Sequence, residues 1–367
     1  MKVAIVCDWL ESIGGAERVV LALHQMYPDA PIYTSQYKPE NVPWLEDADV
    51  RTTWLQKLPT GLKKFLPILR AYTFNRLDLS EYDLVISSTG AEAKGIKTGP
   101  KTTHICYCLS PTQYYWIRRD EYLKAPGFPL GFNWLARLGL KFLEAPLKRW
   151  DKHAAKQPDY MVAISSYDQE NIKKYYGRDA IIIHPPVDVD RFKLKANPPS
   201  RHGLVIAGRQ TPYKRVDLAI EACNRLKIPL IVIGNGPDHK KLEKLAGRTI
   251  TFLTNTNDLE IVDQFQSSLG FIFPNADDFG IVAVESLSAG TPVIAYKKGG
   301  ALDYIKEGKN GIFFDRQTVA SLTSAIEKAL SKNFDHKQIS ESADQFSTER
   351  FKKEIKDYAR KVISNNV

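Results

Sequence analysis

Short apolar runs, each closed by Gly, Pro, Asn, Asp or Ser, alternate along this chain with stretches in which apolar residues recur at helical spacing. The runs read as strands and the periodic stretches as amphipathic helices. Residues 2–7 form the first run, followed by a polar turn with Gly14-Gly15 and a helical pattern over 16–26. Further strands are predicted at 31–34, 83–87, 104–108, 160–165 and 180–184. After a polar, proline-containing stretch at 193–201 the alternation restarts, with strands at 203–207, 229–234, 250–253 and 269–273 and a helix over 212–226. Strand and helix in alternation argue for an α/β fold with mainly parallel, doubly wound sheets.

Residues 271–296, FIFPNADDFGIVAVESLSAGTPVIAY, condense this pattern into strand, polar loop, short helix and strand. Asp277 and Asp278 are the capping candidates before a helix over 280–289, and Gly290 is its stop. On such a helix the neighbours of Glu285 at three and four positions are Ile281, Val282, Ser288 and Ala289, none of them a cation. A carboxylate on that face needs a hydrogen-bonding partner from outside the helix, and a polyhydroxylated ligand would serve. A solvent-facing Glu, or a Val-rich strand in place of the helix, accounts for the same residues without a ligand.

At 367 residues the chain is long for one core. The 193–201 stretch is the natural linker, giving a first domain over 1–196 and a second over 200–345. Hydrophobic content of 43% and charged content of 25% suit a soluble globular protein, and no apolar run approaches the roughly 20 residues that span a bilayer. The opening run fits a buried first strand better than a signal peptide, so a cytoplasmic chain is expected. Cys7, Cys106, Cys108 and Cys223 lie inside apolar or helical runs without zinc-site spacing and read as buried thiols.

The net charge of +9 is unevenly placed: residues 51–149 hold 16 Lys and Arg against 7 Asp and Glu, so this segment carries the whole imbalance. Its cations stand beside large apolar residues, as in GLKKFLPILRAY (61–72) and FNWLARLGLKFL (132–143). That combination suits an anionic membrane surface or a phosphorylated lipid, with Lys63, Lys64 and Arg70 as contacts. A core-facing helix with a solvated basic side fits equally well, and Pro67 interrupts the first candidate. No recognition motif for nucleic acid accompanies the patch, so none is expected as a partner.

The turn Gly208-Arg-Gln-Thr-Pro-Tyr-Lys-Arg215 carries a second chemical signal. With Thr211 as N-cap and Pro212 as first helical residue, Lys214 and Arg215 fall in the first turn of the helix. Cations there oppose the helix dipole unless an anion binds at that end, and with Arg209 they would suit a diphosphate. Solvated side chains, with Asp217 offsetting one cation, are the alternative. The glycines at 14 and 15 also let a helix N-terminus approach a phosphate or sugar, while Leu109-Ser-Pro-Thr-Gln-Tyr-Tyr-Trp116 places an aromatic loop at the ligand edge of a parallel sheet.

Taken in order, these motifs resemble the retaining, nucleotide-sugar-dependent glycosyltransferases of family 4. The likeness includes Gly14-Gly15-Ala-Glu-Arg18, His184-Pro-Pro-Val-Asp188 with Phe192, Gly208-Arg209 with Lys214, and Gly234-Asn-Gly-Pro237. It continues with Asp277 and Glu285 separated by seven residues, Gly290-Thr-Pro292 and Gly299-Gly300. The resemblance implies a GT-B fold, two Rossmann-like doubly wound domains facing each other across a cleft, with a C-terminal helix (about 346–367) crossing back to the first domain. From periodicity alone, 346–362 reads only as a surface helix.

Carried over residue by residue, the resemblance makes Arg209 and Lys214 the holders of the donor diphosphate and stabilisers of its departing charge, with Gly208 at the same turn. Gly234 and Gly236 would lie near the base, and Glu285 would meet the ribose. Asp277, with the backbone of Asp278, Phe279, Gly280 and the start of the helix at Ile281, would meet the transferred sugar or the phosphate. Gly14 and Gly15 would close from the other domain, and Ser110, Tyr114 and Trp116 belong to the acceptor or sugar loop. No metal and no cofactor is implied. This sequence departs from the family in having Asp277 for a Glu, Leu109 for a His after Tyr107-Cys108, and Gln113 for a frequent Arg.

The likeness is nearest to bacterial mannosyltransferases of surface polysaccharide and glycolipid synthesis. It implies transfer from a nucleotide-sugar, GDP-mannose first, to a lipid-linked or glycolipid acceptor by a protein peripheral on the inner face of the cell membrane. A nucleotide-sugar 2-epimerase or glycogen-synthase-like enzyme is the nearest alternative. A non-catalytic nucleotide-sugar-binding subunit is the alternative of another class.

Overall fold

The structure, a computed structural model, describes residues 1–11, 14–58, 66–124 and 133–365. It divides into two compact units, Met1–Pro186 together with Phe351–Val367, and Val187–Arg350. The first holds a parallel sheet of seven strands: β1 (Val3–Cys7), β2 (Ile32–Thr34), β3 (Val50–Thr52), β4 (Leu84–Thr89), β5 (Thr103–Cys108), β6 (Tyr160–Ala163) and β7 (Ile181–Ile182), in the order β3-β2-β1-β4-β5-β6-β7. The second holds six: β8 (Leu204–Ala207), β9 (Leu230–Ile233), β10 (Ile250–Leu253), β11 (Gly270–Phe273), β12 (Val293–Tyr296) and β13 (Gly311–Phe314), also parallel, in the order β10-β9-β8-β11-β12-β13.

Helices between successive strands cover both faces, which is why β1, β4, β5 and β11 are buried along their whole length, β1 and β11 reading as nearly unbroken apolar runs. In each unit the order reverses once, between β1 and β4 and between β8 and β11. Beyond the carboxyl ends of such a pair of strands the chain departs in opposite directions and leaves a crevice.

Two edge strands, β3 and β13, lie outside the pattern read from sequence. β3 is three residues, Val-Arg-Thr, with Arg51 and Thr52 exposed, too short and too polar to stand out. The 193–201 stretch is fastened within the second unit: Leu194 N–H donates to Ser288 O at 3.0 Å, and the Arg201 guanidinium donates to Ser268 O at 2.8 Å and Ala289 O at 3.0 Å. The unit division falls ahead of it, at Pro186 and Val187.

The closing helix, Thr348–Asn365, starts in the second unit and from Phe351 belongs to the first, where Phe351, Ile355, Ala359 and Val362 are buried. Phe351 meets Tyr107 edge-on with centroids 5.5 Å apart. A one-sided apolar stripe at helical spacing is what the sequence shows there, and burial of that stripe fixes the helix. The four cysteines are free and buried.

The basic segment needs correction. Lys63 and Lys64 lie outside the described residues, as does Phe132. Pro67 does not interrupt a helix but opens the helix Leu66–Phe74, in whose first turn a missing N–H is harmless. Arg70 faces inward: it is 7% exposed, donates to Glu92 at 2.8 Å and stacks over Trp9 at 4.8 Å. The outer face of that helix presents Ile68 and Tyr72, with the Arg76 guanidinium over the Tyr72 ring. Among the described residues no helix is long and apolar enough to cross a membrane.

Candidate functional site

The reversal between β8 and β11 places two loops side by side: Gly208 to Arg215 after β8, and Pro274 to Gly280 after β11. A pocket forms there, lined by Gly208, Arg209, Lys214, Asp277, Gly280 and Ile281 among others. The floor is apolar, from Ile206, Val232 and Ile272 of the sheet, and the rim carries the charges. Such a mixture, a mainly apolar hollow with a few converging polar groups, is what small-molecule sites share.

The helix expected over 212–226 begins later, at Val216. Pro212–Lys214 is a 3-10 turn, and Arg215 follows with φ 53° in the left-handed region. For a non-glycine residue that conformation carries strain of the kind concentrated at functional loops. The kink separates the two cations: Arg215 binds Asp217 of its own helix at 3.1 Å, whereas Lys214 stays at the pocket and forms an ion pair with Asp277. Thr211 precedes the turn, but its hydroxyl makes no cap bond. Arg209 is exposed.

On the other side, the cap of the helix Ile281–Ser288 is Gly280, with φ 93°, and not an aspartate. Asp277 is turned to Lys214 instead, which is why acidic capping read from sequence fails. The loop is pressed from behind by Gly299-Gly300: Gly300 N–H donates to Asp277 O at 2.9 Å, and a Cβ at Gly299 would lie 2.4 Å from that same oxygen. Only glycine permits this approach. The Phe279 side chain is core, packed on Tyr304 and Phe346, and its carbonyl accepts from the Tyr304 hydroxyl at 2.9 Å. Glu285 is 4% exposed within the helix. Asp278, in the loop ahead of the helix, is half-buried.

Two residues that hold this arrangement escaped the sequence reading. Arg201, read as linker, caps the carboxyl end of the Ile281–Ser288 helix through Ala289 O and also reaches Thr291 Oγ1 at 2.6 Å. Burial draws its guanidinium down to about 10, still cationic at neutral pH, where it opposes the negative end of the helix dipole. Gln210, fully buried, bridges to Gly234 O at 2.7 Å. Gly234 and Gly236 stand in the turn after β9, neighbour to β8.

The first unit contains the remaining candidates. Gly14 is the cap of the helix Gly15–Met26, and the Glu17 carboxyl folds back to the backbone N–H groups of Gly14 and Glu17. Burial pushes that carboxyl up to about 7, against the pull of these N–H groups. In the aromatic loop Ser110, Tyr114 and Trp116 hydrogen-bond within the fold. Tyr114 OH donates to Glu92, and Trp116 Nε1 donates to Asp151 at 2.7 Å. Asp151 in turn pairs with the buried Lys94 at 2.7 Å. Ser110 is 3% exposed and its hydroxyl donates to Pro111 O.

Two doubly wound units, each reversing its strand order once, with cations and an acid gathered at the second reversal, define the class of GT-B glycosyltransferase folds. Residues 188–346 match the family model described as Glycosyl transferases group 1, in keeping with the likeness read from the motifs of the second unit. D-inositol 3-phosphate glycosyltransferase of Streptomyces bingchenggensis is 28% identical over 188 residues, 42% of this chain and 41% of that protein. The GDP-mannose-dependent alpha-(1-6)-phosphatidylinositol monomannoside mannosyltransferase of Mycolicibacterium smegmatis is 27% identical over 198 residues, 46% of this chain and 52% of that protein. The chain thus spans about half the length of the curated relatives it matches. Among solved structures, Anabaena HepE in complex with UDP aligns with a TM-score of 0.71 at 18% identity, covering 98% of this chain and 100% of that one. The apo lipopolysaccharide outer core galactosyltransferase WaaB aligns at 0.69 and 18%, covering 97% and 98%. At such identity the shared property is the fold.

Proposed function

We propose that this protein is a retaining glycosyltransferase that moves a hexose from a nucleoside diphosphate sugar to a lipid-linked or glycolipid acceptor. The observation that carries the reading is the pocket at the β8/β11 reversal, where Arg209, Lys214 and Asp277 border one hollow. Arg209 and Lys214 hold the diphosphate, and Glu285 accepts from the ribose hydroxyls. The bond from the anomeric carbon to the phosphate oxygen breaks as the acceptor oxygen bonds that carbon from the same face. The acceptor proton passes to the departing phosphate. Positive charge from the two side chains stabilises the leaving group where charge develops.

GDP-mannose is the first donor to try, since a relative over 46% of the chain is named for it; HepE, solved with UDP and with UDP-glucose, makes a UDP-sugar the rival. A thermal-shift panel of GDP-, UDP- and ADP-sugars tests the donor site, because a ligand that binds the folded state alone raises its stability. No shift with any of them sinks the assignment. Nucleotide binding without transfer or hydrolysis would favour a binding subunit.

For the acceptor side, Ile68 and Tyr72 on the outer face of the helix Leu66–Phe74, Arg76 just after that helix and over the Tyr72 ring, and the basic residues Lys63 and Lys64 of the sequence support a membrane-peripheral placement on a cytoplasmic leaflet. Salt-sensitive binding to anionic vesicles, lost on neutralising Lys63, Lys64 and Arg76, is the expected result. Equal pelleting of that variant removes this part of the reading.

A further inference from the structure

The turns after β8 and β9 continue side by side beyond the last ladder pair, Ala207 and Ile233. Gln210 N–H donates to Asn235 O at 2.9 Å, and Asp238 N–H donates to Gln210 O at 3.1 Å. Their contact is close enough that a Cβ at Gly234 would lie 2.4 Å from Gly208 O and one at Gly236 would lie 2.3 Å from Gln210 O. Into this seam the buried Gln210 side chain inserts. Its Nε2 donates to Gly234 O at 2.7 Å, and its Oε1 meets His239 Nδ1 at 2.7 Å.

The polarity of this bridge is determined. A backbone carbonyl only accepts, so the amide nitrogen must face Gly234, which leaves the amide oxygen, also an acceptor, facing His239. His239 Nδ1 therefore carries the proton and donates. The ring is held by an edge contact with Phe252 of β10, centroids 5.3 Å apart, and its Nε2 lies 3.3 Å from Glu243 Oε1. Gln210 thus links the turn bearing Arg209 to the glycine turn and, through His239, to the helix His239–Leu245. An apolar residue at 210 would leave Gly234 O and His239 Nδ1 without these partners.

We propose that Gln210 and His239 are a positioning pair that sets the spacing of the two turns, and with it the grip on the nucleoside half of a nucleoside diphosphate; this rests on the donor-site reading above. The seam sits past the strand ends, beside Gly208 and Arg209 of the pocket, so it orders the binding loops more than the sheet.

Calorimetric titration of the full chain with GDP, UDP and inorganic pyrophosphate tests the pair, alongside donor-hydrolysis kinetics. For Gln210→Leu the affinity for the preferred nucleoside diphosphate falls about tenfold or more, while pyrophosphate affinity and kcat change less than about threefold and KM for the donor rises. His239→Phe moves affinity in the same direction, and the double variant is no worse than the poorer single one, as coupled residues require. Should Gln210→Leu fail to fold, His239→Phe alone decides. Unchanged nucleotide affinity in a folded variant, or an equal loss on pyrophosphate, overturns the pair. Wild-type protein that binds no nucleoside diphosphate overturns the donor-site reading and the pair with it.

Discussion

Lys214 and Asp277, 63 positions apart in sequence, form an ion pair at the mouth of the β8/β11 pocket, with side chains 22% and 17% exposed. The cation proposed for the donor phosphate is thus already matched by the acid proposed for the sugar. In the proposed reaction, ligand entry would exchange a carboxylate for a phosphate on Lys214 and release Asp277 towards whatever the phosphate carries.

The division of labour between these two residues is testable. Lys214→Ala is expected to lower kcat/KM about a hundredfold, the scale of losing one charge-stabilising donor. Asp277→Asn should change nucleoside diphosphate affinity less than about tenfold, since a part-exposed pair contributes little, yet reduce transfer strongly. Asp277→Glu should likewise spare affinity and alter transfer. Steady-state kinetics with parallel titrations separate the two effects, and an affinity collapse with intact turnover of bound donor contradicts the assignment.

Glu285 is proposed to accept from the ribose. Replacing it with Gln removes charge from a hydrogen bond worth about 1.5–3 kcal/mol, so the nucleotide should bind roughly tenfold or more weakly. Pyrophosphate, which lacks a ribose, should bind the variant and the wild type alike. Calorimetry with both ligands reads the difference directly.

Arg201 closes the carboxyl end of the helix that carries Glu285. Arg201→Met is expected to cost about 2–3 kcal/mol of stability, from the loss of charged hydrogen bonds to Ala289 O, Ser268 O and Thr291 Oγ1. Chemical denaturation of the two proteins, compared at equal slope, measures it. An unchanged midpoint would mean that solvent serves those acceptors equally well.

Stability against pH carries a signature of Glu17. Its folded value, about 7, lies above the ordinary 4.5, so the folded state keeps the proton that the unfolded chain releases. Stability from this group is full below 4.5 and is lost as pH rises through 7. Glu17→Gln should therefore stabilise the protein at pH 8 and lose that advantage below pH 4.5, as thermal melts across this range would show. His104 pulls the other way: burial brings it down to about 3, so its contribution is present above 6.5 and fades as the solution is acidified towards 3.

Much of the architecture was legible because buried parallel strands leave short apolar runs closed by turn residues. Among the described residues, eleven of the thirteen strands carry enough apolar character to be read; β3, with Arg51 and Thr52 exposed, does not. The left-handed Arg215 is invisible in sequence, since nothing about an arginine signals a positive φ, so the predicted helix begins ahead of the observed start at Val216. Arg70 looked like a surface cation because its partner, Glu92, is 22 residues away and meets it only in the fold. Gln210 and Arg201 were hidden for the same reason: a polar residue in a turn or linker has no periodicity, and its carbonyl partners are supplied by distant chain.

The Thr348–Asn365 helix imposes an order of assembly. Residues 187–350 are contiguous and hold their own core, whereas the first unit lacks Phe351, Ile355, Ala359 and Val362 until the chain beyond the second unit is present. The first unit, begun before the second, is therefore completed by residues that follow the second, with Phe351 supplying the partner of the Tyr107 ring.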